Sequence, residues 1–334
     1  MRTLIIGMIF LTIGLFAEAQ EPKADFVVDA RGNADFKTVQ DAIDAVPDFR
    51  NNETVIFIKN GVYNEKLVLP TSKRKVTFIG EDPLKTIITN GDWAQKKNRF
   101  GEEMGTTGSS GFFVFGDEFT ARNITFENPA GPVGQAVAVR VTGDKAMFVN
   151  CRFVGNQDTL YPQGERSRQY YKNCYIEGTV DFIFGWAVCV FDECEIFCKT
   201  SGYVTAASTP ESSRYGFVFR NCKITGSTPA SSFYLGRPWR PYSKVVYLNC
   251  ELGTQIKAEG WDNWGKETNE QTAFYAEYKS TGAGANNDAR VAWSHQLTDE
   301  EATNYTLENI FAADVVFPAF ADNWLPVVKG KSEK

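Results

Sequence analysis

Two aspartates, Asp158 and Asp181, occupy the same place in two successive segments of the chain. Asp158 follows Asn150 by eight residues, and Asp181 follows Asn173 by eight residues. If the two segments are successive turns of one coil, the carboxylates are neighbours, because stacked strands lie ~4.8 Å apart. Two close carboxylates do not both ionise readily, so the pKa of one of them rises. Such a pair can supply one anionic nucleophile and one protonated acid.

Three further polar side chains of the sequence suit attack on a carbonyl carbon. Gln157 directly precedes Asp158, and Gln135 lies 23 residues before Asp158, about one repeat back. Both amides can donate hydrogen bonds to a developing oxyanion. Arg237 can keep one aspartate ionised through a charge-assisted hydrogen bond. Ring faces for sugar units can come from three aromatic residues: Tyr161, Phe184 and Trp239.

A purely structural interpretation accounts for the same residues. Polar side chains in a coil can stack into ladders at its corners, and perturbed carboxylates also occur in structural networks. Buried aromatic residues are common in β-rich coils, and this chain has 26 phenylalanines. The spacing alone therefore leaves a catalytic pair and a structural pair equally open.

Several other kinds of catalytic site are missing from the sequence. The single histidine, His295, is not accompanied by a Gly-x-Ser-x-Gly elbow. The glycine-flanked pair Ser109 and Ser110 is predicted to be loop rather than a nucleophile. Zinc catalysis usually needs several His or Cys ligands, and neither a phosphate-binding nor a dinucleotide-binding fingerprint is present. Carboxylate chemistry remains, and we expect His295 on the surface.

A short β-rich motif recurs along the chain and indicates a coil. Its polar positions are spaced by 27, 23, 20, 28 and 28 residues: Asn123, Asn150, Asn173, Glu193, Asn221 and Asn249. Repeats of this length indicate a solenoid, and these units leave no room for a helix in each. We therefore predict an all-β fold, a right-handed parallel β-helix with short capping helices. A β-sandwich would not explain why the cysteines share one register.

Capping helices are predicted near both ends of the coil. Residues 36–47 carry apolar side chains at helical spacing, with Thr38 as the N-cap and Pro47 as the end. Residues 298–311 begin with a capping box and are predicted to form a second helix. Strands are predicted at 26–28, 55–58, 61–65 and 76–80, and loops at 91–111 and 280–288.

The N-terminal segment, residues 1–19, is typical of a secretory signal peptide. Arg2 precedes an apolar run, and residues 17–19 form a small-x-small cleavage site before Gln20. A membrane anchor is disfavoured because the run is shorter than the ~20 residues that a span needs. We expect an exported monomer, periplasmic or extracellular, with one catalytic domain over residues 21–330.

The charge of the chain disfavours two kinds of partner. The net charge is −6 at pH 7, and it stays there after cleavage because the signal contains one residue of each sign. An acidic protein of this kind is a poor candidate for binding nucleic acid or an anionic membrane. A locally basic groove for an acidic polysaccharide remains compatible with this balance.

Seven cysteines, an odd number, raise the question of disulfides in an exported chain. Five of them share one place in the repeat: Cys151, Cys174, Cys194, Cys222 and Cys250. That common register favours buried thiols that stack as small apolar residues. Cys189 and Cys198 are also available, so the sequence leaves a disulfide open.

Five ordered motifs carry a resemblance to a known family. They are residues 61–65 (GVYNE), 135–139 (QAVAV), 155–160 (GNQDTL), 181–185 (DFIFG) and 235–239 (LGRPW). Further matches lie at residues 35–43, 259–264, 274–278 and 290–293. The sequence resembles the pectin methylesterases (pectinesterases), a family of carbohydrate esterases. The resemblance covers essentially all of the chain after the signal.

The resemblance implies metal-free hydrolysis, without other cofactors, of the methyl esters of galacturonate units in pectin. By position, Asp181 would be the nucleophile, and Asp158 would protonate methanol and then activate water. Gln157 and Gln135 would stabilise the oxyanion, and Arg237 would orient Asp181. The sugar-binding residues would be Tyr161, Phe184, Trp239 and Val180. Two departures from the usual family pattern, Asn156 and Val139, concern the sugar subsites rather than the catalytic set.

Three alternatives stand beside the esterase. Two carboxyl groups ~5–5.5 Å apart also suit a retaining glycosidase, although the two glutamines suit an acyl oxyanion better. A calcium-dependent pectin lyase needs an acidic cluster, which is not identifiable in the sequence. A β-helix that only binds pectin would lack part of the catalytic set, and no part is missing.

Overall fold

The chain winds into a right-handed parallel β-helix, as predicted. The structure is a computed structural model that describes residues 23–164, 166–312 and 322–328. The predicted signal peptide, residues 1–19, lies outside these ranges, and so do both ends of the predicted domain, 21–330. No helix in the described part of the chain is long and apolar enough to cross a membrane.

The described residues form short strands and a few helical turns. In chain order the strands are β1 (Phe26–Val28), β2 (Thr54–Ile58), β3 (Gly61–Asn64), β4 (Leu67–Leu69), β5 (Val76–Gly80), β6 (Thr86–Thr89), β7 (Phe112–Val114), β8 (Thr120–Arg122), β9 (Thr125–Glu127), β10 (Val139–Val141), β11 (Ala146–Val149), β12 (Arg152–Val154), β13 (Leu160–Pro162), β14 (Arg168–Lys172), β15 (Tyr175–Gly178), β16 (Ile183–Gly185), β17 (Val188–Asp192), β18 (Glu195–Cys198), β19 (Gly202–Ala207), β20 (Phe217–Arg220), β21 (Lys223–Gly226), β22 (Phe233–Pro238), β23 (Lys244–Leu248), β24 (Glu251–Leu252), β25 (Phe274–Tyr278) and β26 (His295–Gln296). The α-helices are α1 (Val39–Ala45), α2 (Gly105–Gly108), α3 (Glu267–Glu270), α4 (Asp299–Ala302) and α5 (Leu307–Ile310), and 3₁₀ turns lie at Asn287–Ala289 and Thr303–Tyr305.

Three parallel sheets run along the coil. Sheet 1 has the order β1-β2-β5-β8-β11-β14-β17-β20-β23-β25-β26. Sheet 2 has the order β24-β21-β18-β15-β12-β9-β6-β3, and sheet 3 has the order β22-β19-β16-β13-β10-β7-β4. Most neighbouring strands are therefore three apart in sequence, as each turn of a coil stacks on the turn before it.

The polar positions of the repeat form the corner between sheets 1 and 2. All six have left-handed backbone with φ between 52° and 56°. Asn tolerates this conformation better than most residues with a side chain, which explains why Asn fills five of the six positions. Asn150 also donates from Nδ2 to Oδ1 of Asn123 at 2.7 Å, as expected for a polar ladder.

The interior of the coil is filled by aromatic rings and thiols. Along sheet 1, Tyr171 and Phe191 stack with ring centroids 4.7 Å apart, and Phe219 continues the stack at 4.6 Å from Phe191. All seven cysteines are buried free thiols. The thiols of the repeat point inward, as shown by Cys194, whose Sγ donates to the Tyr171 carbonyl one turn earlier at 3.4 Å. The predicted stack of buried cysteines is therefore found.

The predicted N-terminal helix is found as α1. The Thr38 hydroxyl accepts a hydrogen bond from the Asp41 N–H, which makes Thr38 the N-cap as expected. The Glu65 carboxylate accepts the N–H groups of Val39 and Gln40 at 2.9 and 3.0 Å, so it satisfies further donors of the first turn. The apolar face of α1 packs into the same core as the first turns of the coil.

The single C-terminal helix predicted for residues 298–311 is wrong. The capping box between Thr298 and Glu301 is present, but α4 is short and a 3₁₀ turn follows it. Thr306 is extended (φ −78°, ψ 158°) and its hydroxyl caps α5, so it ends one helical segment and begins another. Residues 91–111 are mainly loop, as predicted, apart from the single turn of α2.

Candidate active site

Asp158 and Asp181 stand at matching points of neighbouring turns. Asp158 comes two residues before β13, and Asp181 comes two residues before β16. Leu160 pairs with Ile183, and the Asp158 N–H donates to the Val180 carbonyl at 3.1 Å. The two aspartates therefore occupy equivalent positions on neighbouring turns, as their spacing predicts. Each is only 6% exposed.

Both aspartates have left-handed backbone, with φ of 64° at Asp158 and 54° at Asp181. Residues with a side chain rarely take this conformation, although Asp and Asn tolerate it best. Such positions cost ~1–3 kcal/mol each and cluster at functional sites. The Asn residues at the corners of the repeat adopt the same conformation. Their recurrence is the sequence signal from which left-handed backbone at the two aspartates could have been predicted.

The guanidinium of Arg237 binds Asp181 through two parallel hydrogen bonds. Nε donates to Oδ1 at 2.9 Å, and Nη2 donates to Oδ2 at 2.8 Å. Aromatic rings cover both faces of the guanidinium, because its carbon lies 3.7 Å from the ring centroid of Tyr203 and 3.7 Å from that of Trp264. The two parallel hydrogen bonds and the two stacked rings together hold the guanidinium of Arg237 in one orientation. We call Tyr203 and Trp264 the Arg237 clamp. The sequence argument did not include these two rings.

A loop that follows the Arg237 strand supports Trp264. Trp264 has left-handed backbone (φ 63°), and its N–H donates to Oδ1 of Asp262 at 2.7 Å. Asn269, which is buried, donates from Nδ2 to the carbonyls of Pro238 and Asn263 at 3.1 and 3.3 Å. The loop that carries Trp264 is thus tied to the strand end that carries Arg237.

Burial raises the pKa of both carboxyl groups, but the two environments differ. The pKa of Asp158 lies well above its usual value because the group is buried and faces the negative charge of Asp181. Burial also raises the pKa of Asp181, and the hydrogen bonds and charge of Arg237 oppose that rise. Because Arg237 bonds directly to Asp181 and, among the described residues, not to Asp158, Asp158 is the better proton carrier and Asp181 the better anion.

Two amide side chains lie beside the aspartates. Gln157 is half-buried, and its amide makes no hydrogen bond with the described residues. The Ala136 N–H donates to the Gln157 carbonyl. Gln135 therefore lies on the turn before the one that carries Gln157 and Asp158. Oε1 of Gln135 accepts from Gln95 at 3.3 Å, which leaves its amide N–H groups for a ligand.

Aromatic rings run along the outer face of sheet 3 beside the aspartates. Tyr161 and Phe184 stack with centroids 4.1 Å apart, and Trp239 meets Phe184 edge-on at 6.1 Å. The structure thus brings the three predicted aromatic residues together. Val180 is partly exposed and directly precedes Asp181. Tyr161 and Phe184 are each only 4% exposed, whereas Trp239 is partly exposed like Val180.

The residues that the sequence argument set aside are an exposed histidine and two buried serines. His295 is exposed in β26, where its ring stacks on Phe274 at 4.8 Å. Ser109 and Ser110 are fully buried, and their hydroxyls donate to backbone carbonyls at 2.6 and 2.8 Å. Within residues 23–164, 166–312 and 322–328, no group of three or more His, Cys, Asp or Glu side chains is arranged to hold a metal ion.

Comparison with known proteins identifies the family. The sequence profile of the Pectinesterase family matches residues 25–314. Pectinesterase 31 of Arabidopsis thaliana is 42% identical over 285 residues, which cover 83% of this chain and 89% of that protein. The pectin methylesterase from carrot superposes with a TM-score of 0.80 at 35% identity, covering 88% of this chain and 94% of that one. A pectin methylesterase variant solved in complex with a hexasaccharide also gives 0.80, at 31% identity, covering 92% of this chain and all of that one. The chain belongs to the pectinesterase family and is a carboxylic ester hydrolase.

Proposed function

We propose that this protein hydrolyses the methyl esters of galacturonate units in pectin, with Asp181 as the nucleophile and Asp158 as the acid and base. The observation that carries the assignment is the asymmetry of the pair. Asp181 accepts both hydrogen bonds of a clamped guanidinium, whereas Asp158 is buried beside it without one. One group is prepared to attack as an anion and the other to deliver a proton.

The first half of the reaction forms an acyl-enzyme. An oxygen of Asp181 uses its remaining lone pair to attack the ester carbonyl carbon, and the carbonyl oxygen becomes an oxyanion. The amides of Gln157 and Gln135 donate hydrogen bonds to that oxyanion. When it collapses, the C–O bond to the methoxy group breaks, and Asp158 gives its proton to the departing oxygen. Methanol leaves, and Asp181 is joined to the galacturonyl group as a mixed anhydride.

The second half restores the enzyme. Asp158, now an anion, takes a proton from water while the water oxygen attacks the galacturonyl carbon. The same amides stabilise the second oxyanion. Its collapse breaks the bond to Asp181, which leaves as a carboxylate, and the released galacturonic acid ionises in solution. The reaction converts ester and water into carboxylate, methanol and one proton, and Asp158 ends protonated, as it began.

Product analysis tests this function against other reactions of pectin. Highly methylated pectin is incubated with the protein, and methanol, reducing ends and unsaturated ends are measured with and without EDTA. We expect methanol alone, at the same rate in both conditions. New reducing ends would favour a retaining glycosidase, and unsaturated ends that disappear with EDTA would favour a calcium-dependent lyase.

Removing one ring of the Arg237 clamp is expected to shift the acid side of the pH profile. In Trp264→Leu the guanidinium loses one stacked face, so kcat/KM falls ~10-fold. Arg237 holds down the pKa of Asp181, so a looser Arg237 lets that pKa rise and activity disappears at a higher pH during acidification. Trp264→Phe keeps an aromatic ring, so its kcat/KM and the acid limb of its pH profile should lie close to those of the unmodified protein. Trp324→Leu, which removes a ring 6.0 Å from Arg168 and far from the site, is the control. If the acid limb of the pH profile is unchanged in Trp264→Leu, Trp264 only packs against Arg237 and does not affect the pKa of Asp181.

We also propose that the protein is exported after cleavage before Gln20. The sequence pattern of residues 1–19 supports this, as the apolar run is flanked by a basic start and a small-x-small site. N-terminal sequencing of protein recovered outside the cytoplasm of an expressing cell is expected to begin at Gln20. Recovery only in the cytoplasm with Arg2 still present would contradict export.

A further inference from the structure

A second arginine lies in line with the site on the outer face of sheet 3. Arg140 pairs in register with Tyr161, whose ring stacks on Phe184. Ala206 continues the same row from Phe184 to Arg237. Neighbouring strands are ~4.8 Å apart, so Arg140, two strands before Phe184, lies about 10 Å along the coil from the Asp181 turn. The row therefore carries two guanidinium groups with an aromatic floor between them.

The guanidinium of Arg140 is held on one edge only. Nε donates to Oε1 of Gln163, and no other acceptor in the described residues contacts the group. Its carbon lies 5.8 Å from the ring centroid of Tyr161 and 5.6 Å from that of Phe115. Burial lowers the pKa of Arg140, since among the described residues no carboxylate offsets the loss of water. The two Nη groups are thus left as an unmatched pair of donors.

Three other half-buried arginines of this protein are paired with carboxylates. Arg237 binds Asp181, and Arg290 binds Glu277 with Nε at 2.6 Å from Oε1. Arg168 binds Asp144, with Nη2 at 2.6 Å from Oδ2. A cation withdrawn from water without a counter-charge is costly, and the cost is removed when a ligand brings the charge. Arg140 differs from these three in having its counter-charge position open.

We propose that Arg140 is a subsite for the free carboxylate of a galacturonate unit near the one being hydrolysed. The inference rests on the proposed function, because an acidic polymer laid along the row presents a carboxyl group on every unit. A free carboxylate accepts two parallel charge-assisted hydrogen bonds from the open edge of a guanidinium, whereas a methyl ester is neutral and accepts more weakly. Arg140 thus distinguishes de-esterified units from methylated ones, and favours esters that lie close to a free unit.

Binding of a de-esterified oligomer tests this subsite without any need for turnover. Calorimetry with fully de-esterified hexagalacturonate is expected to show ~10-fold weaker binding to Arg140→Gln than to the unmodified protein, the loss of a charge-assisted pair. The salt dependence of binding should decrease with it. Arg140→Lys keeps the charge without the fork and should fall between the two. Arg152→Gln removes a guanidinium stacked 4.0 Å from the ring of Tyr175 on sheet 2, and serves as the control.

Activity on two substrates completes the test. The ratio of kcat/KM for partly de-esterified pectin to that for fully methylated pectin is expected to fall in Arg140→Gln. Equal hexagalacturonate binding and an equal ratio in Arg140→Gln and the unmodified protein would overturn the subsite. That outcome leaves methanol release from pectin intact, so it is distinct from failure of the proposed esterase function.

Discussion

Replacing Asp181 with Asn is expected to lower kcat on methylated pectin by ~10⁴-fold or more, with the fold intact. An amide cannot attack the ester carbonyl as a carboxylate does. Asn is the appropriate substitution because it tolerates the left-handed backbone at this position, where Ala would be strained. Its Oδ1 can also keep the hydrogen bond from Nε of Arg237. A loss of activity in this variant therefore reports on chemistry rather than on misfolding.

The control for Asp181→Asn is a second buried carboxylate outside the site. Asp192 is 7% exposed in sheet 1, where it accepts from the Tyr170 hydroxyl at 2.8 Å. Asp192→Asn should retain activity, and both variants should show a cooperative thermal transition. Turnover of Asp181→Asn within tenfold of the unmodified protein would remove Asp181 from the role of nucleophile.

Replacing Asp158 with Asn is expected to lower kcat by ~10²–10⁴-fold on methyl esters. The variant cannot protonate departing methanol, and it cannot activate the water of the second half. The first defect should be repaired by a trifluoroethyl ester, because trifluoroethanol is far more acidic than methanol and leaves without a proton. The second defect remains. The variant should therefore release one equivalent of trifluoroethanol rapidly and then turn over slowly.

The pH profile gives an independent check on Asp158. Its carboxyl must be protonated when the ester is attacked, and burial together with the charge of Asp181 holds its pKa well above the usual value. Activity of the unmodified protein therefore persists until the pH rises through that raised pKa and is lost above it. In Asp158→Asn this alkaline limb should vanish. An alkaline limb at the same pH in both proteins would assign that titration to another group.

The coil and the paired aspartates could be predicted from sequence because both depend on local repetition. A motif that returns at intervals of 20 to 28 residues indicates that each turn stacks on the last. Asp158 and Asp181 follow the motif by the same number of residues, so they are expected at equivalent positions on neighbouring turns. The same reasoning gives the position of Gln135 only to about one repeat, because the intervals between repeats vary from 20 to 28 residues.

The clamp around Arg237 could not be predicted, because its parts come from different turns. Tyr203 lies 34 residues before Arg237 and Trp264 lies 27 residues after it, and no local pattern links a ring to a distant guanidinium. The single helix predicted for residues 298–311 failed for a related reason. The capping box marks the start of α4 correctly, but Thr306 caps a new segment through its own hydroxyl.

The most direct test of the account is to trap the acyl-enzyme. Asp158→Asn is mixed with the trifluoroethyl ester of an oligogalacturonate, quenched in acid within the burst and digested. Mass spectrometry is expected to find the oligogalacturonyl group on the peptide that contains Asp181, at a yield equal to the burst of trifluoroethanol. Release of trifluoroethanol with no adduct on any peptide, or with the adduct on a peptide lacking Asp181, would contradict covalent attack by this carboxylate.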